Sequence, residues 1–459
     1  MPVSSLFFNA PCCSRLADFR LSADQRRLLE GMVVEVEKAA AHFRFYGQRS
    51  YMELVNLHFQ LHKIPLLQGE KIRIDFLFST PHHWLAWQSV YDACFADSRI
   101  EARVIALERK GALLQDYMYD AVAFLQGRGI PYIPYADYAP DVDRPHIMMY
   151  QFPYNSVYEQ FRKVSPDLVK LRGTRPVYIS YGIEYDEAHH KEETTALHYH
   201  NYAQSLAWQA FVMHEDIRDG YFKNCRTGGA HVHALGHPRF DVYAHKALPL
   251  PEQIEVKRQG RPIVLYNIHH PSDHDCAHTG RTHSPPVAET IAFLSWLAEQ
   301  AEVCAVITLH PFFEAWAINM RRTTRQALEH MKEIVRQSPN TVLLTDDYRP
   351  LMPHMDAFIS DQSSLLLEMA MQNKPVLYLY DEPLALKPFA GEIFGSFYHG
   401  RGLADSQAFL GRLRHEADPL AGERQRAWNK YFSVYDGRIG QRITDYMITA
   451  LQAEEINIA

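Results

Sequence analysis

Asp356-Ala-Phe-Ile-Ser-Asp-Gln-Ser-Ser-Leu-Leu-Leu-Glu-Met-Ala-Met-Gln-Asn-Lys-Pro-Val-Leu-Tyr-Leu-Tyr-Asp381 reads as strand, turn, helix and strand. Ala357-Phe358-Ile359 is a short apolar run of the kind that a sheet buries on both faces. Asp361-Gln362-Ser363-Ser364 supplies turn and helix-start chemistry. Leu365 to Gln372 carries helix formers with one apolar face, and Asn373-Lys374-Pro375 stops it. Val376 to Tyr380 is the next strand. A polar loop that leaves a strand and opens a helix is where an open α/β sheet takes phosphate. Ser363 and Ser364 add hydroxyls there. Glu368 is one residue out of step for a capping box with Ser364 and receives no such role.

The same alternation extends outward in both directions. Upstream, Pro262 to Tyr266 and Val303 to Leu309 read as strands. Ala288 to Ala301 reads as a helix, Phe313 to Gln337 as one long helix, and Thr341 to Leu344 as a strand. A Pro- and charge-rich break covers Leu248 to Arg261. Before it, strands fall at Ile74–Phe78, Ala102–Leu107, Tyr132–Tyr135, Ile147–Tyr150, Val177–Ser180 and Ala210–Met213. Pro81 turns into a helix with Trp84, Trp87 and Val90 on one face. Such alternation implies parallel sheets covered by helices. Residues 1–68 read as a helical preface, with a capping-box start at Ser22-Ala23-Asp24-Gln25 and a second helical pattern from Ser50 to His62. Glu423 to Gln452 reads as a closing helical segment that packs back across the first half. The expected organisation is a preface (1–68), a first α/β domain (69–250) and a second α/β domain (251–459).

Composition narrows the function classes. The 459 residues are too many for one compact core, and a hydrophobic content of 47% with 22% charged residues is that of a globular chain. A formal net charge of −7 argues against nucleic acid as the main partner. The six cysteines show neither C-x-x-C spacing nor a disulfide framework, which fits a reducing cytosol. No basic, apolar leader opens the chain, and no apolar run reaches the ~18 residues of a membrane span. There is no P-loop and no dinucleotide fingerprint. Asp141-Val142-Asp143 and Asp273-His274-Asp275 are D-x-D triplets, but the first precedes a strand instead of ending one, and both are set aside.

Four motifs occur in order. Gly236-His237-Pro238-Arg239-Phe240-Asp241 closes the first half. Thr308-Leu309-His310-Pro311 ends a strand, where an imidazole opens into the crevice used by α/β ligands. Ser360-Asp361-Gln362-Ser363-Ser364 with Lys374-Pro375 and Asp381 forms the strand–turn–helix–strand stretch. Asp436-Gly437-Arg438 with Arg442 lies near the end. Together they resemble the CDP-glycerol glycerophosphotransferase family of the teichoic-acid polymerase type, over roughly Thr174 to Met447. Three of them have a structural alternative: an ordinary βαβ unit for the serine turn, a loop residue for His310, an Arg239–Asp241 lock for the first motif.

Two further motifs of that family are degraded. Val177-Tyr178-Ile179-Ser180-Tyr181-Gly182 stands where the family has W-H-G, whose histidine is the implied general base; Tyr181 takes its place. A tyrosine with a pKa near its ordinary value of about 10 is a poor base at neutral pH. Glu184, His189 and His190 follow in a polar loop and are the replacement candidates. A glutamate base is expected to give a rate plateau at neutral pH. Leu265-Tyr266-Asn267-Ile268-His269-His270 stands where the family has L-Y-A-P-T-W-R. Its histidines continue at His274, His278 and His283, but Pro271 breaks the helical spacing a metal site would use, and no metal is assigned.

The resemblance implies two Rossmann-like α/β domains of the glycosyltransferase-B type. It also implies an in-line displacement on CDP-glycerol that passes glycerol phosphate to a surface polymer or lipid-linked acceptor. His310 is expected to act in catalysis, with Glu184, His189 or His190 as base. Ser363, Ser364, Asp361, Gln362, His269 and Arg239 are expected around the donor. No cofactor is expected. The expected location is the cytoplasm, at the inner face of the cell membrane if the chain docks there through the preface. Two alternatives stay open: a nucleotide-sugar glycosyltransferase of capsule or lipopolysaccharide assembly, and an inactive scaffold of the same fold.

Overall fold

The computed structural model describes residues 43–108, 120–187, 196–244, 249–269, 284–310, 313–319, 321–344, 348–381, 383–413, 418–432 and 435–456. The preface helix expected near residue 22 lies outside them. The second preface pattern is a helix, α1 (Phe43–His62).

The strands of the first sheet are β1 (Ile72–Phe78), β2 (Ile100–Ala106), β3 (Tyr132–Pro134), β4 (Ile147–Tyr150), β5 (Arg175–Ile179), β6 (Gln209–Val212) and β7 (Val232–Ala234). The second sheet comprises β8 (Ile263–Ile268), β9 (Cys304–Leu309), β10 (Thr341–Leu343), β11 (Ala357–Ser360), β12 (Val376–Leu379) and β13 (Tyr398–Gly400). All pairings are parallel, in the orders β3-β2-β1-β4-β5-β6-β7 and β10-β9-β8-β11-β12-β13. The central strands β4, β5, β8, β11 and β12 are buried at every residue, because helices cover both faces of a parallel sheet. The α/β class with two Rossmann-like sheets is therefore as expected from the alternation. In each order the winding reverses once, between β1 and β4 and between β8 and β11. The crevice at the carboxyl ends of those strands is where such sheets take ligands.

The long helix expected from Phe313 to Gln337 is two helices, Phe313–Asn319 and Arg325–Gln337. Arg321 turns left-handed at φ 54°, and the Thr324 hydroxyl accepts from the Ala327 N–H at 3.1 Å, starting a second helix. The strands β7 and β13 go beyond the expected set. They read Val232-His233-Ala234 and Tyr398-His399-Gly400, short segments with one strong β-former each.

Three more helices frame the site and its cover: α2 (Gln88–Ala96), α3 (Leu365–Met371) and α4 (Ile439–Ile456). The closing helix α4 returns to the first sheet and lies against α2. A Cβ at Gly440 would fall 2.3 Å from the Ser89 carbonyl carbon, so a side-chain-free residue permits this approach. The Asp241 carboxylate accepts the N–H groups of Ile439 at 3.0 Å and Gly440 at 2.7 Å, capping α4. At the other end, Glu454 accepts from Lys63 (2.9 Å), Arg175 (2.8 Å) and Trp208 (2.9 Å).

Candidate active site

Both sheets direct the carboxyl ends of their strands at one another. The Ile183 N–H, in the loop after β5, donates to the Ser364 hydroxyl, in the turn after β11, at 3.1 Å. Beside it, Asp186 and Leu386 form an antiparallel bridge, with Glu187 N–H to Ala385 O at 2.8 Å and Lys387 N–H to Tyr185 O at 2.9 Å. The Lys387 ammonium also donates to the Asp186 carbonyl. Gly182 lies where its backbone meets the Ser364 hydroxyl; a Cβ there would be 3.7 Å away.

The second sheet's reversal point gathers residues from three strand ends. His269 follows β8, His310 follows β9, and Asp361 to Ser364 follow β11. The His269 and His310 rings are 4.4 Å apart at 54°. The Asp361 carboxylate accepts the His269 N–H at 2.7 Å and is fully buried. Asn267 and Ser360 are cross-strand partners, joined by a 2.9 Å hydrogen bond. His269, His310, Gln362, Ser363 and Ser364 all keep part of their surface accessible. The Ser363 hydroxyl accepts the Leu365 N–H at 3.2 Å, and its own hydrogen points at no acceptor in that bond. The helix α3 after this turn has seven residues, and Ser364 already has helical angles without capping it. Side chains from three strand ends, not a long helix dipole, are what this turn offers a ligand. Asp361 contributes a carboxylate that repels phosphate, so its place is that of a brace for the β8 end.

Arg239 sits between the sheets. Its guanidinium donates to the Tyr181 carbonyl at 3.0 Å and lies 3.4 Å from the Glu368 carboxylate. Glu368 also accepts from the hydroxyls of Tyr243 and of Tyr348, the latter at 3.0 Å. The Arg239–Asp241 lock does not form, because Asp241 caps α4 instead. Gly236 has φ 97°, as the turn of that motif demands. The first D-x-D triplet is paired as well: Asp141 with Arg172 at 2.6 Å and Asp143 with Arg103 at 3.2 Å.

Tyr181 ends in a hydroxyl 2.8 Å from that of Tyr154. The His83 ring stacks on it at 4.1 Å and 18°, and Phe152 lies 5.7 Å away. These residues follow β1, β4 and β5, at the first sheet's reversal point. Sequence reasoning misses His83: it follows Pro81 in a stretch that reads as the start of a helix, and the signal that marks it is its place just after the strand at the reversal. The candidates His189 and His190, and the tract His270 to His283, lie outside the described residues. Among the described residues no cluster of His, Cys, Asp and Glu is arranged to hold a metal ion, and no helix is long and apolar enough to cross a membrane.

Glu184 lines a small cavity with Ser180, Phe211, Met213, Ile217 and His237. Burial pushes its carboxyl up to about 8, with Lys387 pulling it down and Asp186 adding to the rise. That shift favours the protonated form, which donates a hydrogen bond instead of accepting one. A glutamate base raised in this way is expected to shift its rise in rate upward from the ordinary carboxylate range, which a pH–rate profile measures. Stability carries the same signature. The unfolded carboxyl ionises near 4.5, the folded one near 8, so the folded state retains a proton through that window and stability falls as pH rises across it. Glu184→Gln is expected to melt higher than the parent at pH 9, with the gain gone at pH ~4.5. An equal difference at both values, by calorimetry, counts against a proton held there.

The fold is shared with solved structures. A Staphylococcus aureus MnaA–UDP co-structure is 13% identical, with a TM-score of 0.58 over 83% of this chain and 97% of that one. A Neisseria meningitidis UDP-GlcNAc 2-epimerase bound to UDP-GlcNAc is 13% identical, with a TM-score of 0.55 over 82% of this chain and 100% of that one. At that identity the likeness is one of fold, the glycosyltransferase-B arrangement of two sheets across a crevice. No curated protein matches the chain. The family model described as CDP-Glycerol:Poly(glycerophosphate) glycerophosphotransferase matches residues 173–449, from just before β5 to within α4 and well over half of the chain. The chain belongs to that family and is a transferase.

Proposed function

We propose that this transferase moves glycerol phosphate from CDP-glycerol to a poly(glycerophosphate)-like acceptor and releases CMP. The observation that supports this most is the meeting of His269, His310, Ser363 and Ser364 at the second sheet's reversal point, opposite the loop after β5. The second sheet carries the donor and the first carries the acceptor. An acceptor hydroxyl attacks the β-phosphorus in line; the bond to the bridging oxygen breaks, and CMP leaves with its electrons. His310 and Ser363 donate hydrogen bonds to the phosphate oxygens as charge moves toward the leaving group. Ser364 accepts from Ile183 and donates its own hydrogen, so donor binding and the approach of the first sheet's loop are linked. His189 and His190, in the next loop, belong to this reading as further groups near the acceptor. The work is done in the cytoplasm, where CDP-glycerol is at hand, against an acceptor at the membrane face.

A UDP-sugar donor is the second reading. It is favoured by the fold shared with proteins whose structures hold UDP and UDP-GlcNAc, and by His269 standing in place of the family's threonine. Thermal shift separates the two. CDP and CDP-glycerol are expected to raise the melting temperature more than UDP and UDP-sugars at equal concentration. A larger shift with the uridine series discards the cytidine donor, and no shift with either series discards the nucleotide site.

A further inference from the structure

We propose that His83 takes the proton from the attacking acceptor hydroxyl, a role that rests on the proposed transfer of glycerol phosphate. The chemistry needs a group that accepts a proton while the new oxygen–phosphorus bond forms. Tyr181, at the position of the implied family base, has its hydroxyl paired with Tyr154 at 2.8 Å. Glu184 lines a separate small cavity with Phe211, Met213, Ile217 and His237. His83 is an imidazole in the right place for the task.

Its place follows from the topology. The first sheet reverses its winding between β1 and β4, and His83 lies in the short helical turn Pro81–Ala86 just beyond β1. Phe152 and Tyr154 lie just beyond β4, and Tyr181 just beyond β5. The crevice of an open α/β sheet is at such a point. The second sheet's matching point holds the donor residues. The two points are joined by a short link: His83 stacks on Tyr181, Gly182 comes next, and the Ile183 N–H reaches the Ser364 hydroxyl at 3.1 Å.

The imidazole is also held still. The His83 N–H donates to the Thr80 carbonyl at 2.9 Å, and its carbonyl accepts the Gln151 amide at 2.9 Å. The ring lies between Tyr181, parallel at 4.1 Å, and Phe152, tilted at 5.0 Å. Fixed backbone and a ring packed on two sides are what a pre-organised catalytic group requires. His83 keeps part of its surface accessible while its Nδ1 is buried, which leaves Nε2 as the nitrogen for the task. In the step, the acceptor O–H bond breaks and its proton passes to a His83 ring nitrogen. The oxygen bonds to the β-phosphorus, and the bond from that phosphorus to CMP breaks.

The test uses the full chain with CDP-glycerol and poly(glycerophosphate), following CMP release. His83→Phe keeps a ring to stack on Tyr181 and removes both nitrogens. It is expected to lower kcat by ~10²-fold or more, with the CDP-induced thermal shift unchanged. His83→Ala is expected to regain several-fold of its lost rate when imidazole is added. A His83→Phe enzyme within threefold of the parent overturns the role, as does a loss that comes with a lost CDP shift and no imidazole rescue. A parent that neither shifts with nucleotides nor turns over overturns the proposed function, and the role of His83 with it. A parent that turns over beside an equally active His83→Phe overturns the role of His83 alone.

Discussion

His310→Ala is expected to lower turnover about 10²-fold and leave the circular dichroism spectrum unchanged. One pre-organised donor to a charge that develops in the transition state is commonly worth that much, about 2.7–4 kcal/mol. The backbone of His310 extends the β8–β9 pairing just past the end of β9, its N–H donating to Ile268 O at 2.8 Å, and that bond survives the substitution. Only the ring is lost, together with its contact to His269 at 4.4 Å. The effect should fall on kcat more than on the affinity for CDP, because the ground-state phosphate keeps its other partners. Activity within twofold of the parent would make His310 a loop residue and move the phosphate site elsewhere.

Glu368→Ala is expected to destabilise the fold by about 3–5 kcal/mol, the usual consequence of leaving one partner of a buried ion pair alone. The carboxylate is fully buried and gathers Arg239, Tyr243 and Tyr348 around it. Burial pushes its carboxyl up, and Arg239 and the two phenols pull it back without restoring the ordinary range. Arg239 reaches on to the Tyr181 carbonyl, so the loss also loosens the loop that holds Gly182 against Ser364. Glu368→Gln keeps an acceptor for the phenols and should be the milder variant. Urea unfolding that shows the alanine variant within about 0.5 kcal/mol of the parent would mean that the cluster is replaceable by water.

How far the sequence is legible depends on the range of the forces involved. The strands of both sheets are legible because a buried parallel strand is mostly apolar, as at Ile147–Tyr150 and Ala357–Ile359. The places of the serine turn and of His310 at strand ends are legible because the apolar runs before them mark where β9 and β11 stop. The reach of the motifs, Thr174 to Met447, nearly equals the 173–449 that the family model matches. The role of Glu368 is hidden because local spacing gives it no partner, and its partner Arg239 is more than a hundred residues away. The same holds for Asp241, whose neighbour in sequence is Arg239 but whose hydrogen bonds go to Ile439 and Gly440. His83 carries no local signal, since only the strand order shows that β1 borders the reversal. The helix from Phe313 reads too long because the polar stretch Arg321 to Gln326 contains neither Gly nor Pro, so no local signal marks the left-handed Arg321.

The capping of α4 by Asp241 has a consequence for how the chain is born. Asp241 and Gly440 are 199 positions apart. At a synthesis rate of ~5–20 residues per second, roughly 10–40 s pass between the emergence of the two. Through that interval the surface of α2 that α4 will cover, and the acceptors on Asp241, face the cell without their partner. The second sheet is complete well before the first receives its last helix. A chain truncated near residue 435 would hold the strands of both sheets and leave the face of α2 that α4 covers bare, a target for chaperones that read exposed apolar helices.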